Sequence, residues 1–243
     1  LDDRRRRNPL SAGMLSQLRR VLEHLVIDDD LRAVVLTGAG EGSFVSGADL
    51  DELTALEPAV GEGFIRRIHE ACAGVRALPV PVIARIDGPC LGAGLELACS
   101  CDLRVASPRA TFAMPEVTVG VPSVIEAALL PRMVGAGRSR DLVMTGRTLT
   151  AGEARDWGLV DRVSSASALD QEVDAVLAEL LRSPADALRL QKRLCHDWEE
   201  RPLTDAVEAG VRAFGASLTA PGTRRRLGRV ARGRKGPATG RFR

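Results

Sequence analysis

Two carboxylates and a glycine-rich turn are the residues of this chain whose types and spacing suit them to chemistry. Glu96 lies two residues past the last glycine of Ile86-Asp87-Gly88-Pro89-Cys90-Leu91-Gly92-Ala93-Gly94-Leu95-Glu96-Leu97-Ala98-Cys99. Burial between Leu95 and Leu97 would raise its pKa and fit it for proton transfer. Glu116 follows 20 residues later, inside Pro115-Glu116-Val117-Thr118-Val119-Gly120-Val121-Pro122. Taken singly, it reads as a glutamate on a surface loop. The turn offers a different capability. Glycine lets a backbone approach a ligand closely, and the first amides of a helix lack internal partners and favour negative charge. Such a turn can hold an anion or a developing oxyanion. A tight turn packed for steric reasons and a solvent-facing helix glutamate fit this one stretch equally well.

Other chemistries fail on spacing. Gly92-x-Gly94 follows an apolar run, but the third glycine of a dinucleotide-binding turn is replaced by Leu97. No Gly-x-Ser-x-Gly occurs, which excludes a hydrolase nucleophile elbow. His24, His69 and His196 lie far apart on expected helices without ligand spacing, so no metal site is expected. Cys72, Cys90, Cys99, Cys101 and Cys195 are odd in number, contain no Cys-x-x-Cys and lie mostly in apolar runs. They read as reduced core residues of a cytoplasmic protein.

Positioning these groups requires buried strands that feed turns. Val80 to Ile86 is apolar and rich in β-branched residues, and it leads into the glycine turn and a short helix. Earlier, Ser11 can cap a helix carrying Met14, Leu15, Leu18, Val21, Leu22 and Leu25, which Asp28 to Asp30 end. Ala33 to Leu36 is an apolar run without alternation, as expected of a strand covered on both faces. Phe44-Val45-Ser46-Gly47-Ala48-Asp49-Leu50 reads as a second glycine turn after a second buried strand, or as an ordinary loop. A helix from about Gly63 to Leu78 follows, broken by Pro79 and Pro81. Strand, helix and strand in that order imply parallel pairing through crossovers.

Leu103 to Ala106 and Thr111 to Met114 are short strands, and Ser123 is expected to start an apolar helix with Pro122 near its N-terminus. Thr150-Ala151-Gly152-Glu153 is a capping box; Gly158 ends its helix before an expected strand at Leu159 to Val163. From Leu169 onward the pattern is helical, punctuated by Pro184, Pro202 and Pro221. A boundary near Ser183 therefore divides an α/β part, 1–183, from an all-helical part, 184–243. About 60 residues cannot readily fill a core alone, so the helical part should pack on the rest or on another subunit.

Composition narrows the functional classes. The 243 residues are 45% hydrophobic and 27% charged, the balance of a globular chain. The net charge of +2 gives no reason to expect a polyanionic partner, and no apolar run approaches the length of a membrane span. Of 34 cations only Lys192 and Lys235 are lysine, a bias read as genome composition. The arginine-rich stretch from Arg224 onward has no interleaved aromatics and reads as a solvated, partly disordered tail more than a phosphate-binding one. The sequence begins at Leu1 and not at Met, which leaves room for a preceding segment.

Taken together and in order, two glycine turns, a glutamate after the second and another 20 residues on resemble the crotonase, or enoyl-CoA hydratase and isomerase, superfamily. The matching stretches are Arg7-Asn8-Pro9-Leu10-Ser11, Arg32 to Gly38, Phe44 to Leu50, Asp87 to Asp102, Phe112 to Pro122 and Leu142 to Val163. The resemblance implies a right-handed spiral of ββα turns with a helical C-terminal region, assembled as trimers or dimers of trimers. It implies an acyl-CoA thioester substrate, with coenzyme A part of that substrate and no separate cofactor. By position in the motifs, the backbone amides of Ala48 and Ala93 would polarise the thioester carbonyl, while Glu96 and Glu116 would hold water and move protons. Ser46, Gly47, Asp49, Leu50, Gly92, Ser123 and Glu126 would line the substrate site. Family hydratases resemble Gly-Ala-Gly-Gly-Thr after the proline, where this chain has Ser123-Val124-Ile125-Glu126-Ala127. Bulk there should reshape the acyl pocket and add a third carboxylate.

The leading expectation is a hydratase acting on a 2-enoyl-CoA. An isomerase, another lyase of this type, a non-catalytic acyl-CoA-binding or assembly subunit and an RNA-binding relative are the competing readings. No nucleic-acid or membrane partner is expected.

Overall fold

The computed structural model describes residues 1–220 and 222–233. The chain divides into two compact units, Leu1–Glu179 and a second beginning at Leu180. In the first, helix α1 (Ala12–Val26) is capped by Ser11, whose hydroxyl accepts from the Met14 amide. Strand β1 (Val34–Thr37), a short helix α2 (Leu50–Thr54) and the longer α3 (Gly61–Ala77) follow. α1 buries Leu15, Leu18 and Leu22, and α3 buries Phe64, Ile68, Ala71, Cys72 and Val75, where the two helices pack together.

Then come β2 (Val82–Ile86), β3 (Pro89–Leu91), α4 (Ala93–Cys99), β4 (Leu103–Ala106) and β5 (Thr111–Ala113). α5 (Leu130–Val134), α6 (Ala136–Thr145), β6 (Thr148–Thr150), α7 (Ala151–Trp157), β7 (Arg162–Val163) and α8 (Leu169–Leu181) carry the chain to the unit boundary. Strands β1, β2, β4 and β7 form one parallel sheet in the order β1-β2-β4-β7. Val82, Ile83, Ala84 and Ile86 of β2 are fully buried, as an apolar run without alternation requires. A second sheet, β3-β5-β6, pairs β3 with β5 in parallel and β5 with β6 antiparallel. Parallel pairing of successive strands through helices agrees with the crossovers expected from the sequence.

Phe44 to Leu50 is a loop with a glycine turn: Val45 bridges only Cys90, and Ala48 bridges only Leu10. The Asn8 side chain takes the Phe44 carbonyl at 3.1 Å, and the loop bonds to residues 7–10. Two local expectations in this unit need correction. Ser123 opens no helix. Its hydroxyl bonds Glu116 and does not cap, and Ile125–Leu129 forms a 3₁₀ turn ahead of α5. The strand expected at Leu159 to Val163 shrinks to β7, since the amides of Leu159 and Val160 both return to the Ala154 carbonyl at the end of α7. The capping box at Thr150 and the left-handed Gly158 at that helix's end are present as read.

In the second unit, α9 (Ala185–Glu200) and α10 (Leu203–Ser217) pack on each other, and α11 (Thr223–Gly233) follows. The arginine-rich stretch from Arg224 is therefore helical as far as Gly233, where a partly disordered tail was expected; Arg234 to Arg243 lie outside the described residues. Along α10, Leu203, Val207, Val211 and Phe214 stay exposed at helical spacing. Among the described residues, no helix is long and apolar enough to cross a membrane.

Candidate active site

The turn between β3 and α4 is fixed by space as much as by dihedral preference. Gly92 has φ 51° and ψ −123°, a region that side chains strain to enter, and a Cβ there would collide with Glu116 Oε1. Two residues on, a Cβ on Gly94 would strike the Val45 carbonyl oxygen. All seven residues of α4 are buried, so Glu96 has no solvent face. Glu96 Oε1 accepts from the Ala127 amide at 3.0 Å. Burial pushes its pKa up to about 8; the Ala127 amide opposes this, and the nearby Glu116 and Glu126 add to it. The solvent-facing helix glutamate is thereby excluded, whereas the steric reading of the glycines is correct as far as it goes.

The loop Phe44 to Leu50 lies against this turn. Val45 donates to the Pro89 carbonyl at 3.1 Å and accepts from Leu91 at 3.1 Å. Ala48 and Ala93 are each three residues beyond the bridge that joins Val45 to Cys90 in parallel. On the other side of the loop, the Leu10 amide bonds the Gly47 carbonyl at 2.9 Å and the Asp49 amide bonds the Leu10 carbonyl at 3.4 Å. In a parallel bridge of that pattern, the N–H of the residue between, Ala48, points away from Leu10. Ala93 is the first residue of α4, where an amide has no partner within the helix. Gly47, at φ 113°, lets the loop approach, because a Cβ there would sit 3.3 Å from the Leu91 carbonyl oxygen.

Asp49, expected against substrate, has both oxygens occupied. Oδ1 accepts from the Asp51 and Glu52 amides and from Arg6, Oδ2 accepts from Arg6 at 2.7 Å, and the Arg6 guanidinium holds the carboxyl below its ordinary pKa. It caps α2 and anchors the loop. Leu50 is exposed, and Ser46 is half-buried with its amide donated to the Arg7 carbonyl.

Glu116 is half-buried at the start of a 3₁₀ turn, Glu116–Val119, and accepts from the Ser123 hydroxyl at 2.9 Å. Its other oxygen faces Gly92, beside the Ala93 amide. Beyond Ser123 the backbone is strained: Ile125, a β-branched residue, has φ 36°. The turn that follows buries Glu126, whose Oε1 lies 2.8 Å from His69 Nδ1. Oε2 is closed to solvent and has no hydrogen-bond partner among the described residues.

The structure thus gathers Glu96, Glu116, Ser123, Glu126, Gly92 and the Ala93 amide around one turn, and sets the Ala48 loop beside it. Sequence reasoning passed over two residues. His69 was grouped with scattered histidines, yet its place on α3, four residues after Ile65 and three before the buried Cys72, was a signal that it borders the core. Asn8, buried, joins Asp3, Ala39 and Phe44 and so ties the N-terminal segment to the loop.

The chain matches the enoyl-CoA hydratase/isomerase family model over residues 1–226. It is 35% identical over 212 residues to a putative enoyl-CoA hydratase/isomerase, YngF, of Bacillus subtilis, covering 87% of this chain and 82% of that protein. A short-chain-enoyl-CoA hydratase of Clostridium acetobutylicum is 33% identical over 209 residues, 86% of this chain and 80% of the other. Among solved structures, an enoyl-CoA hydratase from Bacillus anthracis superposes with a TM-score of 0.91 at 29% identity, covering 99% of this chain and 94% of that one. One from Mycobacterium smegmatis gives 0.85 at 31% identity, over 88% and 84%. Fold, motifs and relatives agree: this chain has the crotonase fold and belongs to the enoyl-CoA hydratase/isomerase family.

Proposed function

We propose that the protein adds water across the 2,3 double bond of a 2-enoyl-CoA thioester. The observation that carries this reading is the pairing of Glu96, buried and titrating near 8, with Glu116, whose oxygen faces the turn that presents the Ala93 amide. Near neutral pH Glu96 keeps a proton to give, and Glu116 stands beside it as the second carboxyl group of the pair. As the water oxygen bonds C3, the carboxylate takes a proton from it, and the C2=C3 electrons move toward the thioester carbonyl. The enolate oxygen is met by the amides of Ala48 and Ala93. The carboxylic acid then delivers its proton to C2, and both protons of the water are accounted for in the hydroxyl and the pair. Two donors aimed at developing charge are the largest contribution expected; one such donor is worth roughly 10²–10³ in rate.

Isomerisation is the second reading, favoured by Glu126 standing where the family's hydratases have glycine, since shuttling a proton between C2 and C4 needs only Glu116. Assembly as a trimer or a dimer of trimers draws support from the exposed apolar stripe of α10. The test is the enoyl-thioester absorbance of crotonyl-CoA mixed with the purified protein. Loss of the band with 3-hydroxybutyryl-CoA as product supports hydration. No change, with thioester binding demonstrated separately, moves the reading to isomerisation, which a 3-enoyl-CoA then tests.

A further inference from the structure

The hydrogen bond between His69 and Glu126 joins α3 to the strained corner at Ile125 beside the site. α3, α4 and α5 all pack on the Ile125–Leu129 turn. From α3, His69 reaches Glu126 Oε1 at 2.8 Å; one residue along, the Ala127 amide holds Glu96 Oε1 at 3.0 Å. Ile125, at φ 36°, precedes both contacts, and a residue in that conformation persists only where its surroundings over-determine it. His69 is half-exposed, whereas Glu126 is 7% exposed.

We propose that His69 and Glu126 form a positioning pair for Glu96, fastening the strained turn so that the Ala127 amide stays on the Glu96 carboxylate. The inference rests on the catalytic part assigned to Glu96 above. It moves Glu126 from the expected substrate contacts to a residue that acts through another. Glu126 also acts on Glu96 directly, as one of two carboxylates that push its pKa up against the Ala127 amide that lowers it. The other titratable groups facing this cluster are Glu116 after β5, Cys72 on α3 and Cys99 on α4 itself; Arg132 on α5 is exposed. Both cysteine thiols are pushed well up by burial and stay neutral, so Glu126 and Glu116 supply the charge.

The pair is tested by titrating Glu96 in the full chain with carboxyl-¹³C glutamate, the resonance being assigned by its loss in Glu96→Gln. The expected midpoint is about 8 in the parent protein. It falls in Glu126→Gln, which removes the charge but leaves an acceptor for His69, and rises in His69→Ala, which frees the turn and withdraws the Ala127 amide that holds it down. Because His69 is half-exposed, that second variant keeps the test open even if Glu126→Gln folds poorly. On whichever enoyl thioester is turned over, each variant lowers kcat by roughly 10-fold with KM little changed, in keeping with a small misplacement of a reacting group. The double variant is no worse than the poorer single one. A Glu96 midpoint that is unmoved or lowered in His69→Ala overturns the pair. A raised KM with kcat intact overturns it too and returns Glu126 to the substrate contacts. If no enoyl thioester reacts, the hydratase reading fails, but the titration still judges the pair.

Discussion

The turn at Gly92 to Cys99 and the corner at Ser123 to Ala127 meet at the same two glutamates but are held by opposite means. Gly92 takes a positive φ with the residue built for it, and Gly94 fits because the Val45 backbone leaves no space for anything larger. The corner places a β-branched isoleucine at φ 36° and relies on three side-chain contacts, Ser123 to Glu116, Ala127 to Glu96 and Glu126 to His69. Shape fixes the first region; polar contacts fix the second. Substitutions should therefore break the first and tune the second.

The largest effect is expected at Gly94→Val, where the new side chain meets backbone. Chemical denaturation should show a loss of roughly 3 kcal/mol or more, the upper range for overpacking. A loss below 1 kcal/mol would mean that space does not fix the turn. Glu96→Gln comes next and has two readouts. Activity should fall by roughly 10²–10⁴-fold, the usual worth of a positioned acid or base. Stability should move the other way. With its pKa raised from 4.5 to about 8 by folding, Glu96 costs nothing below the unfolded value, and its cost grows as pH climbs toward 8. The glutamine variant should thus match the parent near pH 4 and exceed it at pH 8 by on the order of a few kcal/mol. Equal stabilities at both pH values would show that Glu96 is not held protonated.

How much of this could be read in the sequence follows the same division. The glycine turn, the buried strands feeding it and the carboxylate after it were legible because their causes are local: β-branched runs, glycines at fixed offsets, a helix start. The capping box at Thr150 was legible for that reason too. The corner was not. Ser123 after a proline looks like a helix start, and only the presence of Glu116 across the turn diverts its hydroxyl. Asp49 looked like a substrate contact because nothing nearby in sequence announces Arg6, 43 residues away, as its partner. His69 and Glu126, 57 residues apart, meet only through the packing of α3 on the turn.

Smaller effects belong to the corner. Ser123→Ala should lower kcat about 5-fold, the worth of one hydrogen bond of about 1 kcal/mol to a reacting carboxylate. A change in KM alone would make Ser123 a substrate contact. Smallest of all is Ile125→Gly. Relief of the positive φ, on the order of 1–3 kcal/mol, offsets the lost packing and the greater backbone entropy of glycine. The unfolding midpoint should therefore move little; a large destabilisation would show that the side chain and not the contacts holds the corner.

The central claim is that the first amide of α4 stabilises charge on the thioester oxygen, and Ala93→Pro tests it most directly. Proline is at home at the first position of a helix, so this change deletes the N–H and spares the fold. With the unfolding midpoint and the affinity for a saturated acyl-CoA unchanged, kcat for crotonyl-CoA should fall by roughly 10²–10³. A folded Ala93→Pro protein that turns over crotonyl-CoA at the parent rate would contradict the account.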